Sequence, residues 1–221
     1  MPGSTEFKLI HDLELYVRHL GPLHRGQHLF REGDPISGLL IVQSGCLKLY
    51  GVDQAGREYI PGFRLPGDTV GLHGFFTGRH QFNAVALSTS VICQIDHTHL
   101  QEIIGRIPTL MPSILRKVGQ EMINSVFLSG NFTAEERVTA FLVNLHEKLQ
   151  KSASSGEINL PMTRGDIAVF LHLASATVSR ILSRLERNGV ITTDLHHIQL
   201  LDLPRLQCLC MNVPFATQQV G

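Results

Sequence analysis

The sequence predicts an α+β chain: an N-terminal antiparallel β-roll of the jelly-roll kind, a long dimerisation helix and a C-terminal winged helix-turn-helix. Three observations carry that prediction. Glycines separate short apolar or alternating runs from Pro22 to Ile95, the apolar period then switches to about 3.6 residues, and residues 160–202 read as helix, tight turn, helix and hairpin. The expected boundaries are 1–106 for the roll, 107–130 for the dimerisation helix and 131–221 for the winged-helix domain.

Composition narrows the possible roles. The chain has 221 residues, and its 19 basic residues against 19 acidic ones exclude a protein that grips nucleic acid by bulk charge. A local basic face remains compatible with that balance. No apolar run approaches the roughly 18–20 residues of a bilayer span, and no charged-then-apolar segment opens the chain, so a cytoplasmic protein without a membrane partner is expected. Four dispersed cysteines, Cys46, Cys93, Cys208 and Cys210, fit a reducing compartment better than a disulfide scaffold. The 12 histidines are scattered, and none joins a cysteine at zinc-site spacing, so no metal site is expected.

Residues 1–6 read as a lead-in, and Phe7, Ile10, Leu13 and Val17 at helical spacing predict a short amphipathic helix. In the roll, strands are expected at His28–Phe30, Leu39–Val42, Cys46–Tyr50, Phe82–Leu87 and Val91–Ile95, with tight turns at Gly33-Asp34 and Gly67-Asp68. Asp96 is placed to cap a short helix running to Gly105. A longer helix follows from Thr109 to Leu128, with Pro112 delaying or kinking its start. Met111, Leu115, Val118, Met122 and Val126 form one apolar stripe along it, suited to a two-stranded seam between copies of the chain. Thr133 and Glu136 make a capping box for a helix to Gln150, and Lys151–Gly156 is a loop.

The most informative segment is residues 160–202. Thr163 caps a helix with Asp166 at its third position, Leu173-Ala174-Ser175 turns, and Ser175 is expected to cap a second helix, Ala176–Asn188, ended by Gly189. Two short strands follow around Asp194–His197. Val178, Ile181, Leu182 and Leu185 form the inward side of the second helix, while Thr177, Ser179, Arg180, Arg184 and Arg187 point elsewhere. A capped helix with an arginine edge, a tight turn before it and a wing after it predicts a reader of double-stranded DNA. No nucleophile elbow, phosphate loop or converging carboxylates indicate an enzyme.

Taken together, these motifs resemble the CRP/FNR family of bacterial transcription regulators, and its fumarate-and-nitrate-reduction branch more than its cyclic-AMP branch. The match covers about residues 20–205. It includes Arg25–Asp34, Ser44–Tyr50, Leu65–Gly71, Ala134–Val138, Met162–Ala168 and Thr177–Leu182. The resemblance implies a cyclic-nucleotide-binding-like roll, a homodimer on an inverted repeat, and RNA polymerase as a partner. It assigns Arg164 and Thr177 to phosphates and Ser179 with Arg180 to bases and backbone. Ala176 stands where the family usually has a glutamate. Glutamate accepts from a cytosine amino group and alanine offers only a methyl, so discrimination of roughly 1–3 kcal/mol at one half-site position is expected to change. His172 replaces a glycine often found where the first helix ends.

The resemblance also bears on the signal. Cyclic-nucleotide members carry a glutamate after the second glycine of the Gly-Asp-x-x-Gly turn and an Arg-Ser or Arg-Thr pair on the next strand. Here Leu72 follows Gly71 and Phe82-Asn83 stands at the pair, so cyclic AMP is not expected, and these four residues mark the candidate effector pocket. The anaerobic regulator holds a [4Fe–4S] cluster on three N-terminal cysteines and a fourth in the roll. Cys93 matches the fourth, but no cysteine precedes Cys46, so no cluster is expected unless its cysteines lie outside this chain. By its alternation with Val91 and Ile95, Cys93 is expected to be a buried apolar residue. The expected function is a regulator controlled by a redox, gas or small-molecule signal. The alternative is an effector-independent member whose roll is a scaffold and polymerase contact surface.

Overall fold

A computed structural model describes residues 16–150, 157–194, 197–210 and 213. The expected segments 1–6 and 151–156, and Phe7, Ile10 and Leu13, lie outside them. The chain forms two compact units, residues 1–51 with 62–117, and residues 52–61 with 118–221.

In the first unit, β1 (Val17–Leu23), β2 (His28–Phe30), β3 (Gly38–Ser44), β4 (Leu47–Val52), β5 (Glu58–Arg64), β6 (Thr69–Val70), β7 (Asn83–Ala86) and β8 (Ser90–Asp96) build two four-stranded sheets. Their orders are β1-β8-β3-β6 and β2-β7-β4-β5. Val17, expected on a helix, instead opens β1 opposite Ile95. Leu40, Val42, Val70 and Ile92 of the first sheet meet Phe30, Leu47, Leu49, Ala84 and Ala86 of the second, which makes the roll's core. Alternation puts those residues on the inner faces.

The two Gly-Asp pairs close matching turns. Gly33 and Gly67 have φ of 87° and 84°, which β-carbon-bearing residues resist. Asp34 accepts from the Arg31 N–H at 2.7 Å and Asp68 from the Leu65 N–H at 3.1 Å. Each aspartate therefore supplies to its turn the acceptor that the sheet does not.

On the outer face of the first sheet, Leu39 and Ile95 pack with Ile103 of helix α1 (His97–Arg106) and Leu110 and Ile114 of helix α2 (Leu110–Ser129). Asp96 occupies the cap position of α1 without using its side chain there. Its carboxylate accepts instead from Gln94 Nε2 at 2.6 Å. Pro112 falls in the first turn of α2, where a missing N–H removes no intrahelical bond, so the helix starts before it and is not delayed. Cys93 shares the outer face with Ile95 but is only half-buried, with its sulfur 3.7 Å from His19 Nδ1 and from Gln43 Oε1. The expectation of full burial fails because Ile95 packs against α1 while Cys93 stays beside two polar side chains. Partial burial still pushes its thiol pKa up.

The second unit carries α3 (Ala134–Gln150), β9 (Glu157–Asn159), α4 (Arg164–Phe170), α5 (Ser175–Arg187), β10 (Ile191–Asp194), β11 (His197–Leu200) and α6 (Leu203–Leu209). Thr133 and Glu136 form the expected capping box, at 2.8 Å and 3.2 Å. Buried Val138, Leu142 and Leu145 of α3, Ile167 and Leu171 near α4, and Ile181, Leu182 and Leu185 of α5 supply the core. The wing is three-stranded, in the order β10-β11-β9. The third strand, β9, has no counterpart in the sequence reading.

Candidate nucleic-acid interface

Helix α4 starts at a reciprocal cap. The Asp166 N–H donates to Thr163 Oγ1 at 3.0 Å, and the Thr163 N–H donates to Asp166 Oδ2 at 2.9 Å. Arg164 is thereby held exposed in the first turn. The axes of α4 and α5 differ by 110°, the geometry that lets a second helix project while the first braces it.

The turn between them depends on His172, whose φ is 56° and which is the non-glycine residue at positive φ among those described. A left-handed residue with a Cβ costs about 1–2 kcal/mol. Arg137 holds this corner, because its guanidinium donates to the carbonyls of Leu171 at 3.2 Å, Phe132 at 3.2 Å and Gly130 at 2.8 Å. Sequence reasoning gave Arg137 no role beyond its place in a family motif. His172→Gly is expected to raise unfolding stability by about 0.5–1 kcal/mol, the released strain less the added chain entropy. Urea denaturation measures this, and a loss of stability would contradict it.

Ser175 does not cap α5. Ala174 occupies that position with extended backbone and no side-chain bond, and its carbonyl accepts from the Thr177 N–H at 2.9 Å. The helix therefore begins one residue earlier than expected, with Ser175 exposed as its first residue. Gly189 ends it at φ 67°, as expected.

Val178, Ile181, Leu182 and Leu185 are buried, while Ala176, Arg180, Arg184 and Arg187 are exposed and Thr177 and Ser179 half-buried. Arg180 lies along its own first turn, donating from Nε to the Ala176 carbonyl at 3.2 Å and from Nη2 to Thr177 Oγ1 at 3.3 Å. Arg187 Nε donates to the Ser183 carbonyl at 3.4 Å. Neither bond neutralises charge. Arg184 differs, because it pairs with Glu135 of α3 at 2.7 Å, a link across 49 residues that the sequence did not reveal. Glu186, the one acid on the helix, accepts from the Thr193 N–H and hydroxyl at 2.9 Å and 3.0 Å, which ties the wing to α5. Among the described residues, the cations of the helix with no ion pair are thus Arg180 and Arg187. In the wing, His197 is exposed on β11, and His196 lies outside the described residues.

Comparison with known proteins agrees with this geometry. Residues 21–106 match the cyclic nucleotide-binding domain and residues 136–209 the Crp-like helix-turn-helix domain. The chain is 34% identical over 220 residues to electron transport regulator A of Shewanella oneidensis, covering 98% of this chain and 88% of that protein. The chain belongs to the CRP/FNR family of transcription regulators. It is also 34% identical over 206 residues to the transcriptional activator anr of Pseudomonas aeruginosa, covering 91% and 84% of the two chains. FixK2 from Bradyrhizobium japonicum superposes with a TM-score of 0.72 at 27% identity, covering 87% of this chain and 96% of that one. The CRP/FNR chain is therefore a DNA-binding transcription regulator and not an enzyme. Among the described residues no single helix is long and apolar enough to cross a membrane.

The four expected pocket residues meet different neighbours. Leu72 packs with Leu39, Ile95 and Ile103 on the outer apolar cluster. Asn83 accepts from the Glu32 N–H at 3.2 Å and donates to the Tyr50 carbonyl at 3.3 Å, so it spends both ends on the fold. Phe82 lies against His73 with ring centroids 4.6 Å apart, and Gly71 lies against His80. Leu72 presents no acceptor for a ribose, and Phe82 no cation for a phosphate. Cys93 is half-buried beside His19 and Gln43, while Cys46 is buried with its sulfur toward the Leu47 carbonyl.

Proposed function

We propose that this regulator works in the cytoplasm as a homodimer on an inverted repeat, controlled through its roll by a redox, gas or small-molecule signal other than cyclic AMP or an iron–sulfur cluster, and in contact with RNA polymerase. The observation that carries the reading is the exposed edge of α5, where Arg180 and Arg187 keep their charge and Ser175, Ala176 and Thr177 stand at the helix's leading end. Arg164 on α4 supplies a phosphate contact beside them. Arg184, being paired with Glu135, serves first to fix the helix and reaches a phosphate only by sharing or leaving that partner.

Dimerisation is supported by α2, whose Met111, Leu115, Val118 and Met122 are 38%, 62%, 38% and 66% exposed on one stripe. The side chain of Val126 lies outside the described residues. Two readers joined through α2 would meet DNA at sites roughly 34–36 Å apart.

Selection from a randomised duplex pool tests the reading. The expected product is a twofold-symmetric site with half-sites one helical turn apart, and a single asymmetric motif would refute it. Mobility shifts on the selected site, with and without air and with nitric oxide, address control. Equal affinity in every condition would point to the effector-independent alternative, to which Leu72 and Asn83 lend support because both are spent on internal packing.

A further inference from the structure

The three arginines on the edge of α5 make unequal contacts. Arg180 and Arg187 fold back on their own helix, with Nε bonds of 3.2 Å and 3.4 Å to the carbonyls of Ala176 and Ser183. Arg184, four residues after the first and three before the second, reaches off the helix instead. Its Nη2 lies 2.7 Å from Glu135 Oε2 on α3.

That pair fixes a direction more than it adds stability. Its side chains are 48% and 33% exposed, and an ion pair so open to water contributes little to the fold. Glu135 also has no need of an arginine, because it lies in the first turn of α3, where the helix's N-terminal end already favours a carboxylate. The backbone that carries it is braced on both sides. Thr133 and Glu136 close their box at 2.8 Å and 3.2 Å, and the Arg137 guanidinium donates to the carbonyls of Gly130, Phe132 and Leu171. Glu135 therefore offers Arg184 an acceptor on a fixed frame.

A guanidinium presents its N–H groups in a planar fork. Glu135 takes up Nη2, and among the described residues Nε and Nη1 of Arg184 meet no acceptor. A fork already held at one edge loses less freedom on meeting a second anion than a free side chain does. At the edge of a DNA reader that second anion is a backbone phosphate. We propose that Glu135 is a positioning residue for DNA binding, which orients Arg184 so that the guanidinium is shared between the carboxylate and a phosphate. The inference rests on, and deepens, the reading of α5 as the helix that meets DNA.

The sign of the effect separates positioning from simple charge. A bare carboxylate beside DNA repels the phosphates, so its removal strengthens binding. A carboxylate that acts through Arg184 does the reverse. Glu135→Gln should therefore weaken binding by the unmodified chain. In the Arg184→Ala background only the repulsion is left, and there the same change should strengthen binding.

Fluorescence anisotropy on one random-sequence duplex, over a salt series, tests this with the full chain, both single variants and the double variant. Arg184→Ala should lower affinity about tenfold and reduce the salt slope by about one. Glu135→Gln should lower affinity about threefold with the slope unchanged, and should recover about threefold when added to Arg184→Ala. Urea midpoints should stay together, whereas a merely structural role would move them with the affinities. Tighter binding from Glu135→Gln in both backgrounds would make the carboxylate a neutraliser and overturn the proposal, and no effect in either would do the same. Should a variant fail to fold, arginine side-chain spectra of the unmodified chain decide, since the duplex must move the Arg184 Nε–H signal and an unmoved signal overturns the sharing. A chain that binds no duplex would refute the reading of α5 itself, while duplex binding with the wrong signs refutes only the role of Glu135.

Discussion

Arg180→Ala is expected to abolish preference for the selected DNA site while leaving the fold untouched. The side chain is exposed and bonds only to its own first turn, so truncation removes no core contact, and stability should stay within about 0.5 kcal/mol. Its fork is parked on the Ala176 carbonyl and Thr177 hydroxyl, bonds weak enough to exchange for a guanine edge in the major groove. Losing that contact costs about 1–3 kcal/mol of discrimination, or roughly tenfold to a hundredfold at one base pair of each half-site. Ala176→Glu acts differently, adding an acceptor for a cytosine amino group and shifting the preferred base instead of weakening all sites. Arg187→Ala should lower affinity on every sequence and reduce the salt slope by about one. Parallel selections with the three variants and the unmodified chain check all of this. An identical motif from Arg180→Ala, Ala176→Glu and the unmodified chain would refute it.

What the sequence disclosed, and what it hid, divides along the range of the interactions. The Gly-Asp turns, the Thr163–Asp166 box and the Thr133–Glu136 box are closed within four residues, so their chemistry is written in adjacent letters. The start of α5 is also local, yet Ser175 misled. Serine is the better cap by side chain, but left-handed His172 sets the backbone phase so that the Ala174 carbonyl takes the first bonds. Asp96 misled for a similar reason, since Gln94 two residues earlier on the strand competes for its carboxylate.

Longer-range features left no mark. Strand β9 is three residues long and pairs with β11 across some forty residues, too short for alternation to register. Arg184 read as one more cation of a stripe because its partner, Glu135, lies on another helix. Cys93 and Ile95 alternate alike in sequence, and only the packing of α1 separates their burial. The roll's pocket was sought at the positions where the family's ligand contacts stand. Buried side-chain atoms without a hydrogen-bond partner fall elsewhere, on Thr69, His73 and His80 among others, ordinary letters in the sequence.

Val118→Glu should convert the protein to a monomer with its fold retained, the second large effect expected. The position is at the centre of the exposed stripe Met111–Met122, so the change buries no charge within one chain and costs that chain little. In a two-stranded seam the same change sets two carboxylates against each other across the symmetry axis and removes the apolar contact on both sides at once. DNA binding should fall with it. Coupling two readers makes engagement of the second half-site intramolecular, and its loss weakens binding by about 10²–10⁴-fold on an inverted repeat. Affinity for a single half-site should stay nearly unchanged, since α5 and its arginines are untouched. Sedimentation velocity and mobility shifts on the two duplexes separate these effects. If the unmodified and variant chains sediment alike, the stripe on α2 is not the seam. If they sediment differently while the inverted repeat binds both equally, the two readers do not act as a pair.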